Sequence, residues 1–214
     1  MSALTADMPK VLANINGRPA VHHVIDFWRP WVDEFVFIVG YKKELVIEYI
    51  SSLGIPASFV EQTEMRGIAN AVMHAEGLVD ERFVVVLGDC LCKGGFRFPD
   101  GLDQGFGVIE TQNERDIRQS YSVEIQDGAL RRVVEKPKEL INNICGMGFY
   151  FFSRTLFEYI RKTPPSALRG EVEITDVIQG MIDGGERVSP VWFDGDYINL
   201  TYPEDIERAS HIFK

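Results

Sequence analysis

Apolar residues come in two rhythms along this chain. Short unbroken runs, "FVFIVG" (35–40), "ASFVEQ" (57–62) and "FVVVLGD" (83–89), read as strands buried on both faces. Between them, "KKELVIEYISSLG" (42–54) and "GIANAVMHAEGLV" (67–79) carry apolar residues at helical spacing, the first closed by Gly54. A helix pattern also starts at Pro19. The first ten residues read as a loop ending in Pro9-Lys10. Strands alternating with helices predict a parallel sheet, and ligands of such sheets sit beyond the carboxyl ends of the strands. Asp89 falls at such an end.

The rhythm changes in the second half. "SYSVEIQDGALRRVVEKP" predicts two strands joined at Asp127-Gly128, a favoured hairpin pair. "NICGMGFYFF" (143–152) predicts another apolar strand, and "SRTLFEYIRK" (153–162) a helix with Ser153 as N-cap. "EVEITDVIQGMI" (171–182) reads as helix, "RVSPVWF" (187–193) as strand, and "YPEDIERASHIF" (202–213) as a terminal helix with Pro203 in its first turn. Linkers rich in Pro, Gly or Ser are lacking, so one mixed α/β domain with an antiparallel insertion is expected over 1–214.

Composition narrows the partners. Hydrophobic residues make up 45% of 214 positions, enough for a sizeable core. The formal net charge of −10, with acidic residues spread along the chain, argues against a nucleic-acid binder. It leaves room for a small phosphorylated substrate held by a few local cations. No run reaches the roughly 18 apolar residues of a membrane span, and the N-terminus lacks a signal-peptide pattern. Three cysteines fit a reduced, cytoplasmic chain; Cys90-x-Cys92 has no second Cys or His pair at metal-ligand spacing and reads as free thiols.

Four clusters offer chemistry, and each has a plain structural counterpart. Gln62-x-x-x-x-Gly67 links a strand end to a helix start, suited to a base edge or simply to a turn. Asp89 fits either a magnesium ligand or a turn cap. Glu135-Lys136-Pro137 sets opposite charges side by side at a strand end, where alternation lets only one face a cleft easily. Asn199, in "DYINLTYPED", offers a second metal oxygen or helps the turn before the last helix.

Order and spacing carry more than any single cluster. "LTADMPKVL…NGRP", "Q-x-x-x-x-G-I-A-N-A", "VLGD", "VEKP", "G-x-G-F-Y-F-F", "RGEVEITD" and "INLTYPED" together resemble the sugar-1-phosphate nucleotidyltransferases, from about Leu4 to Ile212. The "EVEITD" stretch and the Gln-to-Gly spacing lean towards the glucose-1-phosphate thymidylyltransferase branch. The resemblance implies a Rossmann-like three-layer fold with a mixed, mostly parallel sheet. It also implies transfer of a nucleotidyl group from a nucleoside triphosphate to a sugar 1-phosphate with release of pyrophosphate. Carried over by residue, Lys10 contacts the phosphates, Gln62 and Gly67 hold the base, and Asp89 and Asn199 ligate Mg2+. Glu135, Gly146 and Glu173 face sugar hydroxyls, and Lys136 the sugar phosphate. Lys10 and Asp89 are the expected catalytic pair.

Two departures stand out. The family's first strand and G-x-G-T-R loop should precede "LTADMPK", so the chain reads as N-terminally incomplete, with an unpaired sheet edge that favours homo-oligomers. Ser122 stands where the family often has Gly, next to the expected sugar pocket. The alternatives are a nucleotide-sugar-binding paralogue with impaired chemistry, or a phosphocholine cytidylyltransferase with Trp192 and Phe193 as candidate cage residues.

Overall fold

The computed structural model describes residues 8–64, 66–166 and 170–214. Most of the expected opening loop (1–7) and Arg169 of "RGEVEITD" lie outside them. The chain divides into two compact units. One holds the described residues up to Glu64 with Val86–Gly94 and Gly195–Lys214; the other holds those of Met65–Val85 and Gly95–Asp194.

In the first unit a 3-10 turn at Lys10–Leu12 precedes a small hairpin, β1 (Asn14–Ile15) and β2 (Arg18–Pro19). Asn16 and Gly17 turn it with φ of +49° and +88°. Asn-Gly is the pair that such turns favour. Helix α1 (Ala20–Trp28) buries Val21, Val24, Ile25 and Trp28, one face at 3.6-residue spacing. Strands β3 (Phe35–Val39) and β4 (Ala57–Glu61) pair in parallel through α2 (Lys43–Ser52), as their apolar runs predict. Val21, Ile25, Val39, Val46 and Ile50 form the core between these elements. A second cluster, Ile15, Ala20, Leu91, Ile198, Leu200 and Ala209, anchors the terminal helix α7 (Pro203–Ile212).

The second unit contains most of a mixed sheet. Its order is β6 (Cys90–Arg97), β11 (Val188–Asn199), β7 (Gln104–Glu110), β10 (Ile144–Ser153), β8 (Tyr121–Gln126) and β9 (Ala129–Glu135), with β5 (Arg82–Val86) also on β10. β7–β11 is parallel; β7–β10, β10–β8 and β8–β9 are antiparallel. The β8–β9 turn has Asp127 and Gly128 at φ of +53° and +70°, as the sequence predicts. Helices α3 (Ile68–Met73), α4 (Glu114–Gln119), α5 (Thr155–Lys162) and α6 (Ile174–Asp183) complete the unit. The mixed α/β class is as expected.

Several boundaries differ. β5 pairs with β10 rather than with β3 and β4, because Phe83 stacks on Phe157 and Val85 packs into the core of this unit. Helix α3 stops at Met73 and continues as i→i+3 turns to Leu78. There the Arg154 guanidinium takes the carbonyls of Glu76 and Val79, at 3.0 and 2.8 Å. Ser153 does not cap α5: it ends β10, and its Oγ accepts from Gln104 Nε2 at 2.7 Å. β11 runs on to Asn199, joining two segments read separately. No helix among the described residues is long and apolar enough to cross a membrane.

Candidate active site

Within the first unit, distant segments converge on Asp89. The Lys10 ammonium forms an ion pair with Asp89 Oδ2. Leu200 N–H donates to the Asp89 carbonyl at 2.9 Å, which sets Asn199 beside it at the end of β11. A Cβ on Gly88 would lie 3.0 Å from Val11 Cγ1, so the Lys10 and Asp89 loops pack directly together. The other carboxylate oxygen, Oδ1, accepts from the Cys90 thiol at 3.7 Å, and Cys90 Sγ lies 3.2 Å from Tyr197 Oη. Asn199 Oδ1 accepts from Thr201 Oγ1 at 3.5 Å. Asp89 keeps 19% of its side chain exposed, so an ion or ligand can reach it.

Gln62, in the same unit, follows β4, and its N–H donates to Val39 O at 2.8 Å. It therefore stands at the carboxyl end of the β3–β4 pair, next to the Lys43–Glu61 ion pair. Gly67 belongs to the second unit, as N-cap of α3. Its φ is +90° and a Cβ would sit 2.8 Å from Val172 O. Two constraints thus demand glycine there: left-handed backbone and the passing chain just before Glu173.

The second unit holds the remaining candidates, with Glu135 ending β9 and Lys136 following it. Strand alternation would send Glu135 and Lys136 to opposite faces. Lys136 instead adopts φ of +43°, a left-handed conformation costing on the order of 1 kcal/mol and unusual before proline. Its N–H donates to Ser120 O at 2.8 Å, and its ammonium lies 3.9 Å from Glu135 Oε1. Both charges therefore point the same way. Glu173, the N-cap of α6, is 9% exposed.

Gly146 has its open side filled by rings: a Cβ would meet Phe106 Cε1 at 2.5 Å and Tyr121 Cδ2 at 3.0 Å. Its carbonyl accepts from Ser120 Oγ at 2.7 Å. Ser122, opposite Cys145 in register, is fully buried. Among the described residues, its Oγ lacks a hydrogen-bond partner. Neither Trp192 nor Phe193 forms a cage. Phe193 is 3% exposed against Phe96 and Phe149, and Trp192 packs on the core.

Cys90, Cys92 and Cys145 are free, buried thiols. Burial, reinforced by the Asp89 charge, raises the Cys90 pKa well above its ordinary value, so it acts here as a neutral donor. Among the described residues no group of three or more His, Cys, Asp or Glu could hold a metal by itself. The sequence marked Cys90 only as a free thiol and did not mark Tyr197 beside Asp89 or Thr175, whose Oγ1 donates to Glu135 Oε2 at 3.2 Å. Thr175 and Gln179, four residues apart on one helix face, were the available signal.

The nucleotidyl transferase family matches residues 1–206. UTP–glucose-1-phosphate uridylyltransferase AglF of Haloferax volcanii is 31% identical over 215 residues, covering 96% of this chain and 88% of that protein. The bifunctional protein GlmU of Methanocaldococcus jannaschii is 31% identical over 224 residues, and the match takes 97% of this chain but 50% of GlmU. The chain thus spans about half the length of that relative. A solved putative glucose-1-phosphate thymidylyltransferase from Bacillus anthracis, in complex with a sucrose, superposes with a TM-score of 0.83 at 22% identity. The superposition covers 99% of this chain and 89% of that one, a likeness of fold.

Proposed function

This chain belongs to the nucleotidyl transferase family, and on that premise we propose that it joins a pyrimidine nucleoside triphosphate to a sugar 1-phosphate, with glucose 1-phosphate the first to test. The sugar phosphate oxygen attacks the α-phosphorus in line, the α–β phosphoanhydride bond breaks, and pyrophosphate leaves. Such a displacement needs no protein nucleophile, so the protein contributes positioning and charge. The convergence of Lys10, Asp89 and Asn199 is the observation that supports this reading most.

Asp89 and Asn199 offer a carboxylate and an amide oxygen, a donor set that fits Mg2+, and the ammonium already on Asp89 marks that carboxylate as a cation site. When bound, the ion neutralises phosphate charge. Lys10 supplies a mobile positive charge to the triphosphate, and Gln62 offers a donor and an acceptor to the base edge. Glu135 and Glu173 accept from sugar hydroxyls, and Lys136 holds the sugar phosphate. Of Gly146 only the backbone is available, its carbonyl shared with Ser120. The reading of a uridine nucleotide draws support from the activity named for AglF. The three free thiols fit a reducing compartment such as the cytoplasm.

The test is pyrophosphate release from UTP or TTP mixed with glucose 1-phosphate and magnesium. We expect turnover that EDTA abolishes. Lys10→Ala and Asp89→Ala should each lower kcat/KM by about 10²–10³, the usual loss for one electrostatic contact to a reacting phosphate. A chain that binds these substrates and releases no pyrophosphate from a panel of triphosphates and sugar 1-phosphates would overturn the enzyme reading.

A further inference from the structure

Helix α6 reaches strand β9 through two polar side chains on one face. Gln179 Oε1 accepts from Val133 N–H at 3.0 Å, and its Nε2 donates to Arg131 O at 3.4 Å and to Asp183 Oδ1 at 2.9 Å. β9 ends the strand order of its sheet, and Gln179 satisfies backbone groups that an edge strand leaves open. One turn earlier, Thr175 is 2% exposed and donates from Oγ1 to Glu135 Oε2 at 3.2 Å. A hydroxyl in that depth needs a partner, and a carboxylate makes it a charge-assisted bond.

The consequence falls on Glu135. A glutamate at a strand end has several rotamers, and holding one costs side-chain entropy. Thr175 occupies Oε2 from a rigid helix that Gln179 clamps to the same strand. Oε1 lies 3.9 Å from the Lys136 ammonium. We infer that Thr175 is a positioning residue of the sugar-phosphate site: its hydroxyl selects the Glu135 rotamer that presents Oε1 beside Lys136. This rests on the reading of Glu135 as a sugar contact.

The experiment titrates the full chain calorimetrically with UDP-glucose and, separately, with UTP; TDP-glucose and TTP replace them for a thymidine-preferring parent. Thr175→Val keeps the branched shape and removes the donor. It should weaken nucleotide-sugar binding about three- to tenfold, the worth of one net hydrogen bond, and leave the triphosphate unchanged. Thr175→Ser, which keeps the hydroxyl, should restore binding to within about twofold of the parent. Glu135→Ala runs in parallel. If Glu135→Ala selectively weakens the nucleotide sugar while Thr175→Val binds like the parent, the positioning role is overturned. It is also overturned if Thr175→Val weakens both ligands equally and Thr175→Ser does not rescue. If Glu135→Ala leaves the nucleotide sugar unaffected, the sugar-site reading itself fails, and the inference with it.

Discussion

At Lys136, one backbone angle brings together two charges that strand alternation would separate. The Glu-Lys-Pro order marked the spot in the sequence, but a non-glycine residue at φ of +43° leaves no trace in composition or periodicity. Gly67 was legible as special, whereas the reason for it, the Val172 carbonyl 2.8 Å from a would-be Cβ, comes from another segment. The cysteines show the same limit. Their number suggested free thiols; only burial sets their chemistry. Burial, with the Asp116 charge adding to it, pushes the Cys145 thiol from 9.0 to about 12. Between those values the unfolded chain loses a proton that the folded chain keeps, so stability is complete below pH 9 and falls as pH rises towards 12. By pH 10.5 the loss should be on the order of 1–2 kcal/mol. Urea midpoints from pH 8 to 11 should therefore fall more steeply for the parent than for Cys145→Ala; parallel slopes would refute the assignment.

Elements with strong local signals were readable. The β8–β9 hairpin follows from Asp-Gly, and β3, α2 and β4 follow from their apolar rhythm. Strands β6 and β7 were not, because glycines interrupt them. In β7, Gly107 lies under the Phe149 ring, where a Cβ would come within 2.2 Å of Cε2. That glycine makes room for a neighbour on β10, a need invisible along β7 itself. At the other end of the chain, α7 begins as Pro203 suggests, and its first turn depends on Asp205. The Asp205 carboxylate, 3% exposed, accepts from Thr201 N–H at 2.9 Å and Tyr202 N–H at 2.8 Å. Asp205→Ala should cost about 1–2 kcal/mol, as for other lost caps. Urea denaturation reads this directly, and an unchanged midpoint would show that the cap contributes nothing.

The whole molecule sorts the candidate residues in a way their order conceals. Lys10, Gln62, Asp89 and Asn199 belong to one unit; Gly67, Glu135, Lys136, Gly146 and Glu173 belong to the other. The first unit is assembled from three stretches of chain, so its residues alternate with the second unit's along the sequence. Ligand that binds the folded state should stabilise it by mass action. UTP or TTP with magnesium at 100 times its dissociation constant should add about 2.7 kcal/mol. Scanning calorimetry should show a rise in Tm that shrinks with EDTA and in Asp89→Ala; a shift insensitive to both would displace Asp89 from the ion site.

The sequence by itself determined the α/β class, most of the element types, the Asp-Gly hairpin and the family resemblance. These rest on periodicity, turn chemistry and short motifs, all of which act within a few residues. Tertiary structure alone decided the partnerships: Lys10 with Asp89, Asp89 with Leu200, Cys90 with Tyr197 across 107 residues, and Thr175 with Glu135 across 40. Such pairs form when separate apolar faces are buried together, and a local pattern says only that a face is apolar, never which other face will cover it.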